Sequence, residues 1–385
     1  MTSEIAKNPG LLKLDLSIRG VDAPSLRGAR WLELLLDGEI WARARINPDS
    51  PLKLDRGVQG DVLRDGDSEV AVRAMPEPEY ARRPGRSGVA LGNIAAVHGA
   101  YAVVELGGGC GVSLPGRVCA LCRGRELTEK PGEIWPVEDV VEALGAIFKE
   151  GAAEFVLFQL GYLPGDDAGL KLLLPYIETV RRHFDTIVAV SMHPPADPRA
   201  IERAYAAGVD ALSYNLEAAD PESLQAHFPG RARFLGRSRY FHSLSHAAKV
   251  FPGGAVLCEL TVGLSPEEKI REAIVELTEI GVLPILSLDP AAIGSRSASD
   301  LVPLYGQLFD AVLKAGLNMS WARDLSHAIT PVEARYFVIN APQLPVLLHN
   351  LARNRIGALA TRSLAKLRRR LRVRWVRASF DSSRL

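Results

Sequence analysis

Residues 254–288 read GAVLCELTVGLSPEEKIREAIVELTEIGVLPILSL: an apolar run at 254–262, a helical pattern over 265–279 and a second apolar run at 282–288. The two runs have strand length and the segment between them has helix periodicity, so the stretch reads as one β-α-β unit. Outward from it the same rhythm repeats. Apolar runs at 101–106, 154–160, 185–191 and 209–216 alternate with helical patterns near 136–149, 167–183, 197–207 and 240–250, and a further helical pattern covers 297–314. Six β-α units in series imply a parallel sheet, open or curled into a partial barrel. The expected fold is α/β, a partial (β/α)6 barrel of TIM type over residues 101–337.

Residues 1–100 have a different texture. Turn signals (Asp37-Gly38, Asn47-Pro48, Asp65-Gly66, Pro84-Gly85) separate short runs such as Ile40–Ile46 and Glu69–Ala74 that alternate as strands do. This reads as a small β-rich N-terminal unit, expected to pack against the barrel's side or mouth. Residues 338–385 form a third segment, with a helical reading of 343–371. Residues 351–385 carry eleven Lys/Arg against the single acid Asp381, so the net charge of +1 hides a basic tail on a mildly acidic body. Lys366–Arg377 interleaves arginines with Leu367, Leu371, Val373, Trp375 and Val376, a pattern suited to an acidic partner, an RNA or an anionic membrane surface. A solvated basic terminus is the plainer reading.

A hydrophobic content of 47% in 385 residues suffices for a sizeable core and excludes a disordered chain. No stretch of about 18 uncharged apolar residues is present, and the first residues lack an apolar signal core, so a cytoplasmic protein with no transmembrane segment is expected. There are four cysteines, three of them within thirteen residues, which suits a metal site in a reducing compartment better than a disulfide framework.

In parallel α/β sheets, chemistry collects where strands end at their C-termini. That rule selects Cys110, Gln159, His193, Asn215, Glu217, Gly263 and Asp289. Cys110, Cys119 and Cys122 follow the first strand after Gly107-Gly108-Gly109, with spacing C-x8-C-x2-C in a loop that contains Gly111, Pro115 and Gly116. A four-iron cluster wants four ligands, so three cysteines leave one iron open, which S-adenosylmethionine can fill through its amino and carboxylate groups. A zinc site completed by a histidine, or buried cysteines that meet no metal, are the alternatives on spacing alone.

The cysteine loop after strand one, the stretch Gly208-Val-Asp-Ala-Leu-Ser-Tyr-Asn-Leu-Glu217 and Val262-Gly263-Leu264 together resemble the radical S-adenosylmethionine superfamily, in particular its biotin synthase and lipoyl synthase branch. The resemblance runs from about 101 to 290, and Arg237-Ser-Arg-Tyr240 through Val262-Gly-Leu is similar to that branch in order and spacing. It departs from the commonest family pattern, C-x3-C-x2-C with an aromatic before the third cysteine, because the first gap here is eight residues and Leu121 stands in the aromatic place. The long gap resembles an unusual subgroup found beside nitrilase genes, which is also similar at Ile329-Thr-Pro-Val-Glu-Ala-Arg-Tyr-Phe337.

The resemblance implies a [4Fe-4S] cluster on the three cysteines, S-adenosylmethionine as cofactor, and a 5′-deoxyadenosyl radical that abstracts hydrogen from a small or carrier-bound substrate. It also implies a reductant protein of flavodoxin or ferredoxin type. Asn215 and Glu217 alternate on one strand, so both point to one face, where a carboxylate can accept two ribose hydroxyls. By resemblance Glu217 takes the ribose and Asn215 lies between cofactor and substrate; otherwise the pair closes a strand and caps the helix starting at Asp220-Pro221. Arg237 or Arg239 is expected to hold the methionine carboxylate with its planar fork, or else to be solvated. Gln159, in Gln159-Leu-Gly161, stands where the family contacts the cofactor's amino group, with a different motif. Gly263 would let adenine approach the backbone, or simply ends a strand.

His193, beside two prolines, reads as a structural hydrogen-bond partner before a ligand, and Cys258 as core before ligand. With no second compact cysteine set, radical rearrangement or oxidation is favoured over sulfur insertion. A zinc-dependent hydrolase on the same barrel, and a non-catalytic scaffold, are the competing functional readings.

Overall fold

Six strands run parallel and in chain order, and they set everything else: β7 (Tyr101–Leu106), β8 (Phe155–Leu160), β9 (Val188–Ser191), β10 (Ala211–Ser213), β11 (Val256–Val262) and β12 (Leu283–Leu288). They belong to a computed structural model that describes residues 8–26, 28–57, 60–106, 111–112, 119–122, 134–339 and 341. The register is continuous from Tyr101↔Phe155 to Val262↔Leu288, so the odd-numbered residues of neighbouring strands share one face. The even-numbered ones (Val156, Phe158, Val190, Leu212, Leu260) are buried under the helices. Burial on both faces is why these strands read as unbroken apolar runs.

Two antiparallel strands flank the parallel set: β6 (Ala96–His98) on β7 and β13 (Ala328–Ile329) on β12. The eight strands make a curled half-barrel, in agreement with the partial TIM barrel expected. The connecting helices behave as their sequences dictate. Val137–Glu150 starts after Pro136, ends on Gly151 in the left-handed region (φ +71°) and buries Val140, Ala143, Leu144 and Ile147. That i, i+3, i+4, i+7 stripe faces the sheet, each large aliphatic contributing roughly 2 kcal/mol of apolar burial.

The N-terminal unit is a separate five-stranded antiparallel sheet, order β2-β1-β5-β4-β3, made of β1 (Trp31–Leu36), β2 (Ile40–Arg45), β3 (Lys53–Gly57), β4 (Gly60–Asp65) and β5 (Ser68–Ala74). Asp37-Gly38 turns β1 into β2 and Gly66-Asp67 turns β4 into β5, as the turn signals indicate. Ahead of the sheet lies a helix, Pro9–Arg19, which the β-rich reading does not contain. Asn8 caps it, accepting from the N–H groups of Gly10 and Leu11, with Pro9 at the first helical position.

The unit docks on the barrel's lower end, away from the mouth. Glu33 accepts from Ser326 Oγ (3.1 Å) and Gly99 N–H (3.2 Å), and Arg43 N–H donates to the Ser326 carbonyl (3.0 Å). Gly99 lies in the turn from β6 into β7, so these contacts grip the N-terminal edge of the strands. Lys13, 1% exposed, donates to the Leu325 carbonyl (2.7 Å) and to both Glu333 oxygens (2.9 and 3.0 Å). Glu333 closes a capping box with Thr330, so the motif Ile329–Phe337 is here an anchor for the N-terminal helix. The helical reading of 343–371 and the basic tail lie outside the described residues, and no helix among those described is long and apolar enough to cross a membrane.

Candidate functional site at the barrel mouth

The inward faces of the strands line a pocket that opens to solvent, with about 690 Å³ free of protein atoms when the open mouth is counted. Its walls are apolar near the strand starts (Phe155, Leu157, Ile187, Leu257) and polar toward the strand ends (Gln159, Ser191, Ser213, Asn215, Glu259). The segment after helix Ala298–Lys314 closes the lower side with Trp321, Arg323, Leu325 and His327. A concave, largely apolar space with a few convergent polar groups is the usual form of a small-molecule site.

The polar set is knitted by hydrogen bonds. Asn215 donates through Nδ2 to Glu259 Oε2 (3.1 Å) and accepts through Oδ1 from the Glu259 N–H (3.3 Å). Glu259 also meets His327 Nε2 at 3.4 Å. Glu217 accepts from Thr261 Oγ1 (2.7 Å), which in turn meets Ser287 Oγ (3.1 Å). Asn215 and Glu217 therefore both reach β11, but strand alternation is not the cause. β10 ends at Ser213, and Glu217 takes a left-handed conformation (φ +68°) while bridging in parallel to Leu260.

Two carboxylates in one buried cluster cannot ionise with equal ease. Burial and the charge of Glu259 push Glu217 up to about 7, against the pull of Arg231 and the Thr261 hydroxyl. Glu259 goes the other way: the neighbouring His327 holds its carboxyl down despite burial, and Glu259 in turn raises His327. The cluster thus separates a carboxyl that titrates near neutrality from a carboxylate that stays charged.

Arg231 places a cation at this mouth, and no sequence pattern pointed to it. Its guanidinium lies 4.8 Å from the Phe228 ring, and Nη1 donates to the Asn215 carbonyl (3.3 Å). It stands in the short helix Pro229–Phe234, between the helices Pro221–His227 and Gly236–Val250, and six residues are too few for a periodicity that would mark an inward arginine. Arg237 spends its side chain elsewhere, on Glu276, on the Ala219 carbonyl (2.9 Å) and on the Phe241 ring (4.1 Å). Arg239 donates to the Pro195 carbonyl (3.3 Å), and its Nη2 is buried without a partner among the described residues.

Of the cysteines, Cys110 lies outside the described residues, Cys119 is buried against the barrel core, and Cys122 ends the short turn Ala120–Cys122. The described part of their loop docks at the mouth. Gly111 N–H donates to the Tyr162 carbonyl (2.7 Å), just beyond β8, and the buried Val112 packs its backbone onto Gly230. A Cβ at Gly230 would overlap the Val112 carbonyl oxygen, so glycine is what lets the two chains meet, one residue before Arg231.

His193 is buried with Nδ1 at 2.9 Å from the Tyr240 hydroxyl and edge-on to Tyr162; burial, helped by Arg231, holds it well below the ordinary histidine range and therefore neutral. Gly263 (φ +104°) is approached by Ala292, to whose Cβ an added Cβ would come within 2.9 Å. Asp289 caps the loop below it, accepting from the Ala291 N–H (3.0 Å). Cys258 faces outward into the core, and burial pushes its thiol up to about 12. Among the described residues no three His, Cys, Asp or Glu side chains converge as a metal site.

No protein-family profile and no curated protein matches the chain. Among solved structures it is similar to the FeFe-hydrogenase maturase HydG from Carboxydothermus hydrogenoformans, with a TM-score of 0.40 and 16% identity over 56% of this chain and 51% of that one. It is similar also to methylornithine synthase, PylB (TM-score 0.41, 14% identity, 57% and 63% covered). A third is OxsB, a cobalamin-dependent S-adenosylmethionine radical enzyme (TM-score 0.34, 15% identity, 66% and 36% covered). The chain thus spans about half the length of HydG and a third of OxsB.

Proposed function

We propose that this chain is a radical S-adenosylmethionine enzyme of the biotin and lipoyl synthase-like branch, in the subgroup with C-x8-C-x2-C spacing, and that Cys110, Cys119 and Cys122 hold its [4Fe-4S] cluster. The observation that supports this reading is the docking of Gly111 and Val112, which follow Cys110 in the sequence, on Tyr162 and Gly230, next to Arg231 and its contact with Asn215. Three thiols leave the donor set one short of four, as a cluster that also takes S-adenosylmethionine requires. When bound and reduced by a flavodoxin- or ferredoxin-type partner, the pair supplies a 5′-deoxyadenosyl radical that abstracts hydrogen from a small or carrier-bound substrate.

The chain's own residues supply recognition and exclusion. Glu217, held by Thr261, offers carboxyl oxygens to a ribose, and Asn215, pinned on Glu259, faces the cavity between cofactor and substrate. Arg239 suits the methionine carboxylate better than Arg237, because it keeps a buried donor in hand whereas Arg237 is spent on Glu276. Gln159 lines the cavity and offers an acceptor for an amino group, and Gly263, just past the end of β11, is where adenine would meet the backbone.

Anaerobic reconstitution tests the reading. Brown protein with about four iron and four sulfide is expected, with the colour lost in Cys119→Ala, and dithionite with S-adenosylmethionine should yield 5′-deoxyadenosine. Reconstituted protein that yields none sinks the catalytic claim, and colourless protein with one zinc turns the reading toward a hydrolase.

A further inference from the structure

The barrel's flank carries an apolar groove that the chemistry at the mouth leaves unused. Helices Glu267–Glu279 and Ala298–Lys314 pack side by side, and Val302, Gly306, Ala311, Phe337 and Val338 line the groove along them. Val275 stands on its wall with 40% of its surface open to solvent. The chain itself runs into this groove. The Phe337 carbonyl crosses Gly306, where an added Cβ would come within 3.4 Å of its oxygen, and Ile339 follows, 92% exposed. Apolar side chains contiguous in a groove, unlike single ones scattered over a surface, mark a face that something covers.

Charge narrows the occupant. Glu268, Glu272 and Glu279 are exposed and lie in line with Val275 at helical spacing, and Asp310 is exposed on the second helix. Lys269 answers Glu272 (2.7 Å), and among the described residues Lys314 is the one cation lining the groove. The floor is therefore apolar and the rim acidic. An isologous dimer through this face would set acid against acid. The chain that leaves the groove has the opposite character. Residues 342–385 lie outside the described residues, but their sequence places Leu344, Leu347, Leu348 and Leu351 at the i, i+3, i+4, i+7 spacing of one helical face. Arg353 and Arg355 come next, and no acid occurs before Asp381. Helix Ala298–Lys314 has 17 residues and is about 26 Å long, so residues 343–359 wound as a helix would run its length.

We propose that this groove is the seat of the chain's own residues 343–359, with the leucine face on Val275, Val302 and Ala311 and with Arg353 and Arg355 toward the acidic rim. The proposal is independent of the radical reading, since no residue of the mouth enters it.

Limited trypsin digestion of the full chain, read by mass spectrometry, tests this. Cleavage after Arg353 and Arg355 should be at least tenfold slower than after Arg377, which lies beyond the seated segment. Val275→Glu puts a carboxylate on the groove wall, and Leu348→Glu spoils the leucine face without touching the barrel; each should raise the Arg353 and Arg355 rates to that of Arg377. If Val275→Glu does not fold, the double variant Glu279→Arg and Asp310→Arg changes only exposed rim positions and should speed both cuts at least threefold. Arg353 cut as fast as Arg377 in the unaltered protein means a bare groove and overturns the proposal. Slow cleavage that the groove variants leave unchanged places the segment elsewhere and overturns it too, as does protection that appears only together with a doubled mass in light scattering, which would make a second copy the occupant.

Discussion

Replacing Lys13 by methionine tests how the N-terminal helix is tied to the barrel. The ammonium is spent on three acceptors, the Leu325 carbonyl and both oxygens of Glu333, and neither side chain is more than 7% exposed. Burial pushes Lys13 down and Glu333 up, and the attraction and hydrogen bonds between the two oppose both shifts. Methionine fills most of the lysine's volume, so little cavity forms and the cost is electrostatic. Glu333 keeps the Thr330 N–H (2.9 Å) but loses its counter-ion, and the Leu325 carbonyl loses its donor. Breaking one side of a buried pair costs about 3–5 kcal/mol, on the order of 10 °C in melting temperature for a unit of some 200 residues. The sign of the pH dependence follows. A buried carboxyl raised above its unfolded value favours the folded state while protonated and loses that contribution as pH rises through the folded pKa. The deficit of Lys13→Met should therefore be largest at pH 8 and shrink toward pH 5, and adding Glu333→Gln should restore much of it at pH 8. Urea unfolding followed by tryptophan fluorescence at both pH values reads this directly. A deficit below about 1 kcal/mol, or one equal at the two pH values, would refute the reasoning.

The remaining expectations concern the mouth. Gly230→Ala forces its Cβ into the Val112 carbonyl and should release the cysteine loop, seen as faster limited proteolysis between 112 and 134 and lower iron retention; wild-type rates in this variant would mean the loop does not rest there. Glu217 is raised to about 7, so its contribution is full below its unfolded value near 4.5 and declines as pH rises through 7. Glu217→Gln should flatten the fall in urea midpoint between pH 5 and 8, and an unchanged slope would place that titration on another group. Gly263→Ala combines a left-handed backbone with an approach of 2.9 Å to Ala292, for a loss of about 1–3 kcal/mol in the same unfolding assay.

What the sequence disclosed and what it hid have physical causes. The six parallel strands were legible because both their faces are buried, which leaves apolar runs of strand length, and Gln159, Asn215 and Glu217 drew attention because they sit at or just past the C-terminal ends of such runs. Glu259 and Thr261 were available too. They sit at alternate positions of a strand with every residue buried, and two polar residues two apart in such a run can only be on the barrel side, since the other face meets helices. Arg231, Arg323 and His327 offered no such handle. They come from a six-residue helix and from an irregular segment after the last β-α unit, where no periodicity tells inward from outward. The helix Pro9–Arg19 was hidden by its own pattern: Leu12-Lys13-Leu14-Asp15-Leu16 alternates as a strand does, yet all five residues are buried. The alternation marks two buried polar side chains with charged partners, Glu333 for Lys13 and the half-buried Arg19 for Asp15. Partners some 320 residues away leave no local trace, and the charge that ties the N-terminal helix to the cavity floor therefore becomes visible only in three dimensions.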